Sequence, residues 1–359
     1  MKYGFVAYDM GPSKYNKMIA DRMLKAQHHE VVFVPAQKKD LALEYGAELA
    51  TCDLIVFGGP ASFDTEVETN LLDALPEEIP LVVLEDVPGS CLRPKFKNYA
   101  SRAKVVVVAM EQSAQGALQF GYQATEYLGL PQHWKSGYDA LVSADKVSAR
   151  ARFNKSRRIA LGDTSLESSD KVLSYGCVKH AGINNLILAY MTIAADDATV
   201  LAFKTRGDEK LDDREREVRE SLVRLQKEAW FLNLGNATLT EVLCASDIAV
   251  FSGGATDSIS CALARFPAIY CTSNEVRAVN LKQGIPEDGE WFVSKMGGNL
   301  VVDMDNGPDE FSRAVRSLLT PQGQAELRHV QEAVFPAPPA VWETDCVVVR
   351  YLEHVAANS

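Results

Sequence analysis

The sequence predicts an α/β protein built from two doubly wound parallel sheets. Short apolar runs with the length of buried strands alternate with segments of helical spacing through both halves of the chain. The length of 359 residues is long for one domain and suits two domains of about 150–180 residues each. We therefore expect a first domain at 1–150, a second at 151–340 and a C-terminal helical segment at 341–359.

The first half predicts five strand–helix pairs. Its uninterrupted Val, Ile, Leu and Phe runs are typical of parallel strands covered on both faces by helices. We expect strands at 4–8, 31–34, 53–57, 80–84 and 105–109, and helices at 14–27, 43–49, 66–75, 96–103 and 115–128.

Ligands of such sheets bind outside the carboxyl ends of the strands. The residues at these ends are therefore candidates for a site. They are Asp9, Gly11 and Ser13 after the first strand, Gly59 after the third, Glu85, Asp86 and Arg93 after the fourth, and Glu111 after the fifth.

A basic cluster marks the expected domain boundary, where the second half begins. Its charges either solvate a linker or, facing a cleft, would attract an anion. The second half then predicts strands at 159–161, 199–203, 231–234, 248–251 and 268–271, a long helix within 172–194, and further helices at 239–245, 311–319 and 344–355. The members of the cluster are Arg150, Arg152, Lys155, Arg157 and Arg158.

One stretch, Leu239–Thr272, contains a complete βαβ unit. A helix leads through Ser246-Asp247 into a short apolar strand, and a second helix runs to about Arg265 before Pro267 and another strand. The loop between the first strand and the second helix consists of small residues, which leave backbone N–H groups free to bind an anion such as phosphate. This loop contains Ser252, Gly253, Gly254, Ala255 and Thr256.

The same stretch resembles the second domain of nucleotide-sugar enzymes of the two-Rossmann, or GT-B, type. Members of this superfamily include lipid-A-disaccharide synthase, the peptidoglycan glucosaminyltransferase and the UDP-GlcNAc 2-epimerases. The Ser246-Asp247 pair, the Ser252–Thr256 loop and Pro267 match their pattern. The glutamate that these enzymes carry in the following helix is absent: alignment places Ser260, Ser258 or Ile259 there, and Asp257 is the nearest carboxylate.

The resemblance implies two Rossmann-like domains that face a cleft, with a nucleotide-sugar donor, a UDP-sugar above all, on the second domain. It implies a metal-independent enzyme without a cofactor and a C-terminal helix that packs back on the first domain. The diphosphate would be held by the 252–258 loop, including Asp257 and Ser258, by Lys204 and Arg206, and by Thr164 and Ser165 in the loop after strand 159–161. The base would lie near Leu234 and Asn236, and an epimerase-like element would involve Asn274, Glu275 and Arg277.

The acceptor side of such an enzyme would lie on the first domain. An inverting transferase needs a general base there, and Asp86 is the preferred candidate over Asp9, Glu85 and Glu111 because it precedes a Pro-Gly turn. Asp86 could instead only cap that turn. The remaining acceptor-side candidates are Gly11, Ser13, Gly59 and Arg93.

Composition narrows the possible functions. The net charge of −11 disfavours passive binding to nucleic acid or anionic membranes. No apolar run reaches the roughly 18–20 residues that span a bilayer, and the N-terminus has no signal-peptide profile, so we expect a cytoplasmic protein. The seven cysteines have scattered spacing and predict neither a disulfide framework nor a metal site. Neither a dinucleotide-binding glycine motif nor a P-loop occurs.

Three functions remain open at the level of sequence. The first is a glycosyltransferase that uses a nucleotide-diphosphate sugar, possible as a homodimer, with a saccharide, a lipid-linked molecule or a modified nucleic-acid base as its unknown acceptor. The second is a nucleotide-sugar 2-epimerase. The third is a non-catalytic binding protein with the same fold, which the missing glutamate near Ser260 keeps open.

Overall fold

The computed structural model describes residues 1–8, 10–26, 29–36, 40–58, 66–92, 97–131, 134, 139, 141–151, 171–177, 199–203, 220, 231–233, 239–253, 257–282, 288–336, 339–344 and 346–358. The chain separates into two compact units. The first comprises Met1–Gly137, Gln283–Pro286 and Ala337–Ser359, and the second comprises Tyr138–Lys282 and Glu287–Pro336.

The first unit contains a six-stranded parallel sheet with the order β2-β1-β3-β4-β5-β6. Because β1 lies between β2 and β3, the strand order reverses at the β1–β3 pair. The carboxyl ends of these two strands therefore form the topological switch point of the sheet. The strands are β1 (Lys2–Val6), β2 (Glu30–Phe33), β3 (Leu54–Gly58), β4 (Leu81–Leu84), β5 (Ala103–Val107) and β6 (Thr125–Glu126).

Helices cover both faces of this sheet, as its continuous apolar strands require. One core contains Val6, Phe57 and Tyr99, and the other contains Tyr3, Phe5 and Trp134. Alternate side chains of β1 therefore enter opposite cores. The helices are α1 (Met10–Lys25), α2 (Leu41–Leu49), α3 (Glu66–Ala74), α4 (Lys97–Arg102) and α5 (Ser113–Phe120).

The second unit contains another six-stranded parallel sheet, with the order β12-β11-β10-β7-β8-β9. Its switch point lies between β7 and β10, where Cys177 is in register with Ser252. The strands are β7 (Lys171–Cys177), β8 (Thr199–Phe203), β9 (Phe231–Asn233), β10 (Ile248–Ser252), β11 (Ala268–Thr272) and β12 (Leu300–Asp303).

The remaining helices follow in chain order. Residues 146–151 are also helical and precede this sheet. The helices that follow are α6 (Leu239–Ala245), α7 (Asp257–Leu263), α8 (Asn274–Lys282), α9 (Phe292–Lys295), α10 (Pro308–Leu318), α11 (Pro321–Val334), α12 (Ala340–Thr344) and α13 (Val347–Ala357).

The predicted fold class is confirmed, since both sheets are parallel and doubly wound. Two predicted helices are wrong. Residues 172–177, where a long helix was expected to begin, belong to the central strand β7 (Lys171–Cys177), because Leu173 is fully buried between two strands of the sheet. The helix predicted at 115–128 ends at Phe120, since Gly121 adopts a φ of 122° and Thr125–Glu126 pairs with β5.

Several elements of the second unit, helix α9 among them, were not predicted from the sequence. The segment after β11, expected to be a loop, is helix α8. Strand β12 and helix α11 were not expected at all. Strand β12 has only three apolar residues, Leu300–Val302, and only Val302 among its four residues is buried.

Helix α13 completes the first unit by packing on the sheet face that also carries α1. Its Val348, Val349 and Leu352 side chains enter the core with Tyr3 and Trp134. Arg22 of α1 donates to the carbonyl of Glu343 in α12, just before this helix, and its guanidinium lies 4.0 Å from the centre of the Trp134 ring. The C-terminal segment is thus part of the core of the first unit that contains Tyr3 and Trp134.

The substitution Leu352→Ala should lower the free energy of unfolding by about 2–5 kcal/mol, because it removes a fully buried side chain and leaves a cavity. Leu43→Ala is the matched control, since Leu43 also lies on a helix of the first unit but is 87% exposed. Its effect should stay within about 0.5 kcal/mol. Denaturant unfolding of both variants measures the difference. Equal losses would contradict the packing of α13 in the core.

Candidate functional site

The switch point of the first sheet is closed tightly by the first turn of α1. A Cβ atom added at Gly58, the last residue of β3, would lie 2.8 Å from the Pro12 Cβ and 2.9 Å from the Ala7 Cβ. The Asn16 side-chain amide also donates to the carbonyl of Val6 at 3.1 Å. The start of α1 is therefore fixed against the carboxyl ends of β1 and β3.

Asp86 lies at this same place. It follows β4, the strand next to β3, and only 3% of its surface is exposed. A Cβ atom at Gly11 would lie 3.5 Å from Asp86 Oδ1 and 3.7 Å from Oδ2. The carboxylate thus faces the first turn of a 16-residue helix, where the helix dipole favours negative charge.

Glu85, the preceding residue, has a different environment. It is 1% exposed, and its carboxylate accepts hydrogen bonds from the Gly89 N–H at 2.7 Å, the Cys91 thiol at 3.1 Å and the Ala109 N–H at 2.8 Å. Burial raises the pKa of Glu85, and the hydrogen bonds act in the opposite direction. The two adjacent acids therefore have separate partners.

The other acceptor-side candidates divide into three groups. Ser13 is buried in the first turns of α1, close to Gly11. Glu111 is exposed just before α5, and its carbonyl accepts from Ala114. Asp9, Gly59 and Arg93 lie outside the described residues.

The switch point of the second sheet carries the start of the predicted anion loop. Ser252 is 2% exposed and lies in register with Cys177 and Cys271. Gly253 follows with a φ of 77°, a left-handed conformation that strains any residue with a Cβ atom. Gly254, Ala255 and Thr256 lie outside the described residues.

Helix α7 begins at Asp257 and has only seven residues. Ser258, in its first turn, is fully buried, and its hydroxyl accepts from the Trp291 indole N–H at 2.8 Å. The Ser258 side chain thus fastens α7 to the 288–291 segment. A ligand at this turn would meet backbone groups rather than this hydroxyl.

Burial distinguishes the three positions considered for the missing glutamate. Ser258 and Ile259 are buried, with 0% and 1% of their surfaces exposed. Ser260 is partly exposed. Among these three positions, only the side chain at 260 is accessible to solvent.

The strand beside β10 is β7 (Lys171–Cys177), and not the strand predicted at 159–161. Thr164 and Ser165, which are candidates because they follow that predicted strand, precede β7 in the chain. The residues that follow β7 begin at Val178. Thr164, Ser165, Lys204, Arg206, Leu234 and Asn236 all lie outside the described residues.

Arg277 is held by acids at the carboxyl ends of β11 and β12. Its guanidinium bonds Asp303, and it bonds Glu290 at 2.6 Å; hydrogen bonding to Asp303 and then to Glu290 raises the pKa of Arg277. Asn274 accepts from the same guanidinium at 3.3 Å. Of the three residues expected here from the sequence, Asn274 and Arg277 belong to this cluster and Glu275 is exposed. Glu290 and Asp303 were not expected, because they are distant along the chain.

Arg150 is also bound internally. Its side chain is 10% exposed and donates to the Ala245 carbonyl at 3.0 Å and to Asp247 at 2.7 Å. Lys146 pairs with the same carboxylate at 3.1 Å. Asp247 precedes β10, so this cluster lies at the amino end of the strand, opposite the edge that carries Ser252. Arg152, Lys155, Arg157 and Arg158 lie outside the described residues.

The described part of the chain contains no group of three or more His, Cys, Asp and Glu side chains that could hold a metal ion. Within the same residues, no helix is long and apolar enough to cross a bilayer.

Comparison with known proteins finds similar solved structures but no similar sequence. The chain matches no sequence-family model and no curated protein. Among solved structures it is similar to HepE from Anabaena in complex with UDP and glucose, with a TM-score of 0.58, 14% identity and 100% of both chains covered. It is similar to sucrose-phosphate synthase from Thermosynechococcus elongatus, with a TM-score of 0.62, 12% identity and full coverage of both chains.

A third similar structure is the UDP-GlcNAc 2-epimerase from Methanocaldococcus jannaschii. Its TM-score is 0.58 at 12% identity, with 92% of this chain and 100% of that chain covered. The predicted resemblance is confirmed at the level of fold: the chain has the two-Rossmann fold of the GT-B glycosyltransferases and UDP-GlcNAc 2-epimerases.

The role of Arg150 is testable against Lys146, which contacts the same carboxylate. Arg150→Met should lower the free energy of unfolding by about 1–3 kcal/mol, because the Ala245 carbonyl and Asp247 lose a nearly buried donor. Lys146→Met should cost at most about 1 kcal/mol, since its side chain is 47% exposed. Denaturant unfolding compares the two. Unchanged stability of Arg150→Met would contradict this role.

Proposed function

We propose that this protein is a glycosyltransferase that moves a sugar from a nucleotide-diphosphate donor, a UDP-sugar first of all, to an acceptor hydroxyl. The observation that carries the proposal is the position of Ser252 and Gly253 at the switch point of the second sheet, since doubly wound sheets bind ligands there. Structures of this fold that contain UDP or UDP-glucose support the donor class.

In the proposed donor site, backbone N–H groups after β10 bind the diphosphate. Gly253 allows the close approach of backbone and phosphate, because its φ of 77° is open to glycine at little cost. Helix α7 has only seven residues, so the binding of the phosphate depends mainly on the N–H groups of its first turn and less on its helix dipole. Lys204 and Arg206 remain the proposed cations, and Thr256 and Asp257 the proposed neighbours of the phosphates.

In the proposed acceptor site, Asp86 is the general base. Its burial beside Gly11 favours it over Glu111, which is exposed. For an inverting transfer, the Asp86 carboxylate takes the proton of the acceptor hydroxyl while the oxygen attacks the anomeric carbon. The bond between that carbon and the diphosphate breaks, and the nucleoside diphosphate leaves with the electron pair. No metal takes part in this proposal, so turnover should persist in EDTA.

A 2-epimerase is the second candidate, because epimerases of the same fold have TM-scores of 0.60 and 0.58 with this chain. Incubation with UDP-GlcNAc separates the two activities. Epimerisation changes the configuration at C2 of the sugar, whereas transfer or donor hydrolysis releases UDP and a sugar product. Binding of UDP without either reaction would instead favour a non-catalytic binding protein.

The donor site is tested with UDP, CDP, GDP, ADP and dTDP. A bound nucleotide at one hundred times its dissociation constant should stabilise the fold by about 2.7 kcal/mol. Gly253→Ala should lower the affinity for the preferred nucleotide by about tenfold or more, equivalent to about 1.4 kcal/mol, because a methyl group strains the left-handed backbone. Calorimetric titration measures the affinity directly.

Gly89→Ala is the matched control for Gly253→Ala. Gly89 also has a positive φ, 80°, has open space around its Cβ position, and lies in the other unit. Both variants should lose about 1–2 kcal/mol of stability from backbone strain, but only Gly253→Ala should lose nucleotide affinity. Equal affinities in the two variants would contradict a donor loop at Gly253.

The base is tested with Asp86→Asn, which keeps the shape of the side chain and removes the proton acceptor. Turnover should fall by about 10²–10⁴-fold, the usual contribution of general base catalysis, while UDP affinity stays unchanged. Asp73→Asn on the exposed face of α3 is the control and should retain full turnover. Release of UDP from the donor is the measurement. Full turnover of Asp86→Asn would reject Asp86 as the base.

A further inference from the structure

The polypeptide after β4 is organised around the Glu85 side chain. Glu85 Oε1 accepts from the Gly89 N–H, so the carboxylate closes a ring around the segment that contains Asp86. The Ser90 N–H donates to the Val87 carbonyl at 2.9 Å, and Gly89, which follows Pro88, has a φ of 80°. This is the pattern of a type II turn. Asp86 is therefore held between the end of β4 and a fixed turn.

Glu85 also joins this turn to the neighbouring loop. Its Oε2 accepts from the Ala109 N–H, which belongs to the segment after β5, and its own N–H donates to the Val107 carbonyl at 2.9 Å. Burial and the nearby Glu85 carboxylate raise the pKa of the Cys91 thiol, which therefore stays protonated as a donor. Three donors from two loops thus converge on one buried carboxylate.

We infer that Glu85 is a positioning residue, whose carboxylate fixes the 85–92 segment and thereby holds Asp86 against Gly11 for proton transfer. This inference rests on the proposed function, in which Asp86 is the base. Glu85 is not itself the base, because its oxygens are directed at the Gly89, Cys91 and Ala109 donors. Loss of its carboxylate leaves the Ala109 N–H, which is buried, without this acceptor.

The first experiment combines Glu85→Gln and Asp86→Asn. An amide presents an N–H₂ group where one carboxylate oxygen accepts, so Glu85→Gln should lower kcat by about tenfold or more while UDP affinity and the KM for the donor stay unchanged. If Glu85 acts through Asp86, the double variant should be no slower than Asp86→Asn alone. Multiplicative losses in the double variant would overturn the inference.

Glu78→Gln is the surface control, since Glu78 is an exposed acid of the same unit. If Glu85→Gln does not fold, Cys91 provides a milder change. Cys91→Ala removes one of the three donors and should lower kcat several-fold, whereas Cys91→Ser restores a donor and should recover most of that loss. Equal kcat values for Cys91→Ala, Cys91→Ser and the unchanged protein would overturn the inference.

Amide hydrogen exchange gives a readout that does not depend on activity. Glu85→Gln or Cys91→Ala should speed exchange at Gly89 and Ala109 and leave Ser252 unchanged. Slow exchange at Gly89 and Ala109 in these variants would overturn the inference whatever the activity. Full turnover of Asp86→Asn would instead reject the proposed base, so the two failures are distinguishable.

Discussion

The reversal of strand order in each parallel sheet is the constraint on which the candidate sites depend. At β1–β3 and at β7–β10, the strand that follows each member of the pair along the chain lies on the outer side of that member, so the strand order reverses there and the carboxyl ends form a crevice that suits a ligand. The carboxyl ends of these strands carry Gly11 and Gly58 in one unit, and Ser252 and Gly253 in the other. Glycine at three of these positions lets backbone segments approach closely or adopt positive φ.

The second constraint is the burial of two consecutive carboxylates after β4. Two adjacent ionised groups are expensive to bury unless each has its own hydrogen bonds or charges. Here the segment separates them, since Glu85 faces three donors within the first unit and Asp86 faces the start of α1. One acid can thus stabilise the backbone while its neighbour remains at the switch point, where the proposed acceptor binds.

In the second unit, two conspicuous arginines serve the fold. Arg150 anchors the helical residues 146–151 to the amino end of β10, and Arg277 links Glu290 and Asp303 beside β11 and β12. Their charges are compensated by acids of the same unit. A proposed diphosphate would therefore be bound by loop amides and by cations such as Lys204 and Arg206.

The sequence alone determined the fold class. Local backbone geometry sets the side-chain period of a helix and of a strand, so the spacing of apolar residues indicates which element each segment forms. The sequence also singled out Asp86 and the Ser252–Gly253 loop, since both follow strands directly. Residues 172–177 do not follow their predicted helix because their mixed polarity carries no period of two, and pairing with β8 and β10 decides their conformation.

Only the tertiary structure decided which charged residues meet. The partners of Arg277 and Arg150 lie far along the chain, and Glu85 finds Ala109 on a neighbouring strand end. Such contacts depend on strand order and register, which a local pattern does not encode. For the same reason, the separate roles of Glu85 and Asp86, adjacent in sequence, follow from the fold.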